Sequence, residues 1–82
     1  MSSSPTRRTV DSRGSSCPGP ITDLFRAYRQ ANLGDVIELL ATDPAAESDV
    51  KAWAAKTGNR VVEAAQEGGY VRLVIQVERK GR

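Results

Sequence analysis

The only thiol of the chain, Cys17, stands in the stretch GSSCPGP, Gly14 to Pro20, pressed against two prolines. If Cys17 is the N-cap of a helix, Pro18, Gly19 and Pro20 fill the first three helical positions, and neither proline has an N–H to donate. The free donors of that first turn are then Gly19 and Ile21. Their N–H groups, with the positive end of the helix, favour a thiolate and lower the thiol pKa from its free value of about 8.5. The two rings stiffen the turn, so that the sulfur is presented at low entropic cost. The alternative reading makes Cys17 a small capping or half-buried residue without chemistry, as free cysteines often are.

The composition narrows what such a thiol can do. One cysteine forms no internal disulfide, and a chain without histidine has neither zinc-site spacings nor the Cys-His and Ser-His pairs of hydrolases. A Cys-x-x-Cys redox pair fails because Pro20 stands where the second thiol belongs. A phosphatase-type loop wants an arginine six positions after the cysteine, and that position is Asp23. There remains a thiol that accepts and surrenders a group with no resolving partner of its own, the second reactive group coming from another protein.

The elements that must position this thiol follow from periodicity. A short strand is expected at Arg8 to Ser12, ahead of the turn signal SRGSS. Ile21, Leu24, Phe25 and Tyr28, at i, i+3, i+4 and i+7, predict an amphipathic helix that stops near Asn32 to Gly34. DVIELLAT reads as a central strand, apolar on most of both faces. A second helix follows, with Asp43 ahead of a helix-starting proline, Val50, Trp53, Ala54 and Thr57 on one stripe, and Gly58 as its stop. Trp53 is therefore expected in the core. RVVEAAQ and YVRLVIQVE read as two strands joined at EGG, with Gly68 and Gly69 as turn residues; Val71, Leu73, Ile75 and Val77 share the buried face of the last.

The order β-α-β-α-β-β, with the right-handed crossover rule, predicts an α+β two-layer α/β sandwich. It has a mixed four-stranded sheet and both helices on one face. The first two strands run parallel and end at one edge of the sheet, so Cys17 belongs in the first βα turn, with Asp43 as its neighbour across that edge. One domain is expected over residues 8–79, between a flexible leader, 1–7, and a flexible tail, 80–82. MSSSPTRR lacks the apolar segment of a secretory signal, no apolar run is long enough to cross a bilayer, and a cytoplasmic protein is expected. The net charge of +2, partly concentrated in ERKGR, comes without basic-aromatic interleaving, so direct nucleic-acid binding is not expected.

DSRGSSCPGP, GDVIELLATDPAAESDVKAWAAKTGN and EGGYVRLVI together resemble the TusA/SirA family of small sulfur-carrier proteins, from Val10 to Val77. The Cys-Pro-x-Pro signature, the ATDPA segment and the tryptophan of the second helix carry the resemblance. It implies that Cys17 holds sulfane sulfur as a persulfide, with Arg13, Gly14, Pro18, Gly19 and Pro20 as supporting motif residues. The sulfur would come from a cysteine desulfurase or a rhodanese-like donor and pass to an acceptor cysteine on another protein. The routes served in the family are tRNA thiolation, cofactor synthesis and sulfur oxidation. No cofactor is implied, no membrane partner, and a monomer when alone. One departure stands out: Ser15 occupies a position where the family often has leucine, which bears on partner choice.

Further residues can tune or extend such a site. Arg13 could offset the field of Asp43 and keep the sulfur anionic, or be an exposed loop arginine. Arg26 and Arg29, on the solvent side of the first helix, could receive an acidic rim on a donor protein, or simply be solvated. A different class of function is an interaction or regulatory module without catalysis, docking through an open sheet face where Val36, Leu40, Tyr70 and Val74 surface together.

Overall fold

A computed structural model describes residues 7–14 and 19–79. The elements are β1 (Arg7–Ser12), α1 (Gly19–Gln30), β2 (Val36–Ala41), α2 (Ala46–Thr57), β3 (Arg60–Glu67) and β4 (Tyr70–Gln76). They form the expected α+β fold, a four-stranded sheet in the order β1-β2-β4-β3. β1 and β2 are parallel, while β4 is antiparallel to both β2 and β3. Both helices cover one face of the sheet. β1 begins at Arg7, one residue earlier than its sequence suggested, because Arg7 pairs with Val36, the first residue of β2.

Alternation along the strands sets the core. Ile37, Leu39 and Ala41 of β2 and Val71, Leu73 and Ile75 of β4 turn toward the helices, where Leu24, Val50, Trp53 and Ala54 meet them. Val77 is buried with them, beyond the end of the strand. α1 sits differently from its predicted stripe. Pro20, Leu24 and, just past the helix, Ala31 are buried, Ile21, Ala27 and Tyr28 are partly buried, and Phe25 is 43% exposed. The small side chains of Ala27 and Ala31 let the helix lie close to the sheet, which turns Phe25 to the seam between the helices. There the rings of Phe25 and Tyr28 meet Trp53 at 6.1 and 5.0 Å between centroids, Tyr28 edge-on. Trp53 is thus a core residue, as its stripe predicted.

α2 also departs from its predicted start. Pro44 is not its first residue; the helix opens at Ala46, and no side chain caps it. Asp43 instead closes a turn ahead of the helix, its Oδ1 accepting the Ala45 N–H at 2.9 Å and its carbonyl the Ala46 N–H at 3.0 Å. At the other end Gly58 takes φ +81° and donates its N–H to the Ala54 carbonyl, the left-handed stop its sequence position called for.

The uncovered face of the sheet is not apolar. Val74, expected at the surface, is 4% exposed, while Val36, Leu40 and Tyr70 are half-buried. Arg72 stretches across this face to Glu63 at 2.6 Å, Glu67 at 3.4 Å and Glu38 at 3.5 Å, and Arg7 and Thr9 close on Glu38 from β1. Five charged side chains therefore overlie the apolar positions that an interaction module would offer. β3, at the outer edge, carries a bulge between Val61 and Glu63 that leaves Val62 exposed. Among the described residues no helix is long and apolar enough to cross a membrane.

Candidate functional site

Cys17, with Ser15, Ser16 and Pro18, lies outside the described residues, and so does its expected role as N-cap. The frame on either side of it is defined. β1 ends at Ser12, opposite Ala41 at the end of β2, so both parallel strands finish at one edge of the sheet. Beyond Ser12 the chain turns through Arg13 and Gly14, and Gly14 takes φ +87°, a backbone conformation that glycine adopts at no steric cost. The Gly14 N–H donates to Thr42 Oγ1 at 2.9 Å, tying the turn to the residue that follows β2. On the far side α1 starts at Gly19, with Pro20 buried in its first turn.

Ser12 and Asp23 join the two sides. Ser12 has the inward register of Arg8 and Val10 and is 1% exposed, and its hydroxyl donates to Asp23 Oδ2 of α1 at 2.7 Å. An acceptor is required there, since a buried hydroxyl without one is costly. Half of this pair had a local signal: alternation along β1 turns Ser12 inward. Asp23, a polar residue between the apolar positions Ile21 and Leu24, carried none.

Arg13 meets a different carboxylate from the one expected. Its Nε and Nη2 donate to Asp11 Oδ1 and Oδ2 at 2.9 and 2.8 Å, in a turn that the Arg13 backbone N–H also closes on Asp11 Oδ1 at 3.2 Å. Its guanidinium carbon lies 5.0 Å from the centroid of the Tyr70 ring. The hydrogen bonds from Arg13 hold the Asp11 carboxyl down to about 2, against an ordinary 3.8, and Asp11 in turn pushes the guanidinium up.

Asp43 stands at the expected edge. It lines a shallow recess with Pro20 and Ile21 of α1 and Ala46, Asp49 and Val50 of α2. It also borders a cleft of about 90 Å³ whose other walls include Thr42, Glu47, Gln66 and Tyr70. The structure therefore brings Asp43 beside the start of α1, and Arg13 beside Tyr70 at the same end of the sheet. Arg26 and Arg29 are apart from both, exposed on α1, where with Gln30 they line an open dish. Among the described residues neither has a carboxylate partner.

The comparisons agree with this frame. The sequence model of the family described as Sulfurtransferase TusA matches residues 8–77. An Archaeoglobus fulgidus protein provisionally named a sulfur carrier is 37% identical over 67 residues, which cover 82% of this chain and 92% of that protein. The sulfur carrier protein TusA of Allochromatium vinosum is 34% identical over 67 residues, 82% of this chain and 88% of its own. Among solved structures, a SirA-like protein of Desulfitobacterium hafniense superposes with a TM-score of 0.75 at 20% identity, covering 87% of this chain and 97% of that one, a likeness of fold. A match to the family model over nearly the whole chain, with relatives above 30% identity across most of their length, places the chain in the TusA family of sulfur carrier proteins.

Proposed function

We propose that the protein carries sulfane sulfur as a persulfide on Cys17 and relays it between two other proteins. The reading is carried by one observation: in a chain of this family, the single thiol falls in sequence between the end of β1 and the start of α1. It is supported by the frame, which holds both flanks of that segment through Gly14, Thr42, Ser12 and Asp23. Pro20 has no N–H to give, and the remaining N–H groups of the first turn of α1, with the positive helix end, suit an anion there.

The transfer is two displacements. The Cys17 thiolate attacks the outer sulfur of a donor persulfide, R–S–SH; a bond forms to that sulfur, the donor S–S bond breaks, and the donor leaves as a thiolate with the electron pair. An acceptor thiolate then attacks the outer sulfur of Cys17–S–SH, and Cys17 leaves as the thiolate. Sulfur changes hands with no net oxidation, and neither metal nor organic cofactor takes part. The donor is a cysteine desulfurase or a rhodanese-like protein, the acceptor a cysteine of a further protein, and the route tRNA thiolation, cofactor synthesis or sulfur oxidation. Arg26 and Arg29, exposed beside Phe25 on α1, supply a cationic surface for an acidic rim on the donor, and Asp43, apart from them at the sheet edge, is a further partner-binding residue. The carrier works in the cytoplasm, as a monomer between encounters.

Incubation with a cysteine desulfurase and cysteine, or with polysulfide, adds the mass of one sulfur atom, and reductant removes it. Cys17→Ser gains no mass and passes no labelled sulfur onward, yet folds, because serine is a good N-cap. A wild-type protein that stays unmodified with every donor tried overturns the reading.

A further inference from the structure

We infer that Ser12 and Asp23 are positioning residues for the thiol, acting through the hydrogen bond that joins the end of β1 to α1. The inference rests on Cys17 being the reacting residue. The bond closes a short circuit of chain: residues 13–22 leave the sheet at Ser12 and are gathered back at Asp23, and Cys17 falls near the middle of that stretch in sequence.

Three features set the bond apart from a surface contact. Ser12 is 1% exposed, in a register that otherwise faces the helix layer with apolar or long side chains. The acceptor is a carboxylate, which makes the 2.7 Å bond charge-assisted and shorter than a neutral one. Asp23, in the second turn of α1, is itself half-buried, so that water competes little for the bond. Packing alone would be served by alanine and leucine here. A short, directional, buried bond adds something packing does not, a fixed rotation and height of the first turns of α1 against the last residue of β1.

That geometry bears on the rate of transfer rather than on docking. Sulfur displacement needs the attacking thiolate in line with the donor S–S bond, and an error of about 1 Å at a reacting atom can cost a hundredfold. The second tie, from the Gly14 N–H to Thr42, holds Gly14 to the residue after β2 and limits the loss when the first is removed.

The test measures sulfur loading from a cysteine desulfurase in single turnovers for the wild type, Ser12→Ala, Asp23→Leu, the double variant and Asp23→Asn. Each of the first two variants is expected to lower the saturating rate about tenfold with KM for the donor within twofold, the double variant no further than either. Asp23→Asn, which keeps an acceptor oxygen, retains at least half the rate. An unchanged saturating rate in Ser12→Ala overturns the inference, as do losses that multiply in the double variant or that appear in KM. If the wild type takes up no sulfur, the carrier reading fails by itself. The pair is then read from alkylation of Cys17 by iodoacetamide, where the same non-additive loss supports it and equal rates overturn it.

Discussion

The guanidinium of Arg13 lies over the ring of Tyr70, so the turn that leads toward the thiol leans on the first residue of the last strand. Asp11 holds the same guanidinium from the side with two hydrogen bonds. Three residues from β1, its following turn and β4 thus form one unit at the end of the sheet where β1 and β2 finish.

This unit sets the titration of Asp11. Its carboxyl is held at about 2 by hydrogen bonding to Arg13, below its ordinary 3.8. A depressed folded pKa contributes stability that is present above the unfolded value and is lost as pH falls through the folded one, here between about 4 and 2. A carboxyl-detected NMR titration should place Asp11 near 2, and Arg13→Ala should return it toward 3.8. An Asp11 midpoint unchanged by Arg13→Ala would show that the pair is not the cause.

Removing Arg72 should expose the repulsion it neutralises. Arg72→Met leaves Glu38, Glu63 and Glu67 facing one another across β2, β4 and β3. Burial opposes ionisation of Glu38, but hydrogen bonds from Arg7 and Thr9 and the charges of Arg7 and Arg72 outweigh it and hold its pKa down. The variant should melt below the wild type at pH 7, with the gap closing as pH falls below the ordinary glutamate value of 4.5 and the Glu38 charge that Arg72 helps to hold is lost. A gap independent of pH between about 7 and about 3 would assign the loss to packing.

Trp53 and Phe25 touch, yet they should differ in what they contribute. Trp53 is 9% exposed between the helices, and truncation to alanine should cost about 3–5 kcal/mol in urea unfolding. Phe25 is 43% exposed, and Phe25→Ala should cost under about 1.5 kcal/mol, little beyond its ring contact with Trp53. Equal losses would place Phe25 in the core.

Gly58→Ala should destabilise by about 1–2 kcal/mol, the penalty of a left-handed conformation for a residue with a Cβ. At φ +81° the new methyl would also lie 2.8 Å from Arg79 Cδ, which must move aside. Gly34→Ala, at φ +91° with nothing within 4 Å, carries the backbone strain without the contact and so separates the two effects. Equal stability of Gly58→Ala and wild type in urea unfolding would refute the strain argument.

How much of this was legible in the sequence depended on the range of each signal. Strand alternation in YVRLVIQV and the helical stripe around Val50 and Trp53 are local, and they placed the core and the layer order correctly. The tilt of α1 was not local: Phe25 and Ala27 exchange rim and interior according to how closely the helix approaches the sheet, which Ala27 and Ala31 decide. Asp43 shows the same limit at short range, since Asp-Pro reads equally as a helix start or as a turn before one. At the site, the edge shared by β1 and β2 was predictable from the βαβ rule, and Asp43 lies there. The partners across that edge, Thr42 for Gly14, Tyr70 for Arg13 and Asp23 for Ser12, are long-range pairings of polar residues, and polarity alone carries no address.

The strand order has a kinetic side. β4 is the last strand in the chain but an inner strand of the sheet, with β2 and β3 both hydrogen-bonded to it. A chain emerging from the ribosome can pair β1 with β2 and dock α1, but it cannot bring β3 into that sheet until Tyr70–Gln76 has been made. Loop closure between β2 and β4 spans α2 and β3, a non-local step that slows folding. Until then β2 shows an open, apolar edge, and the growing chain depends on the speed of its own completion.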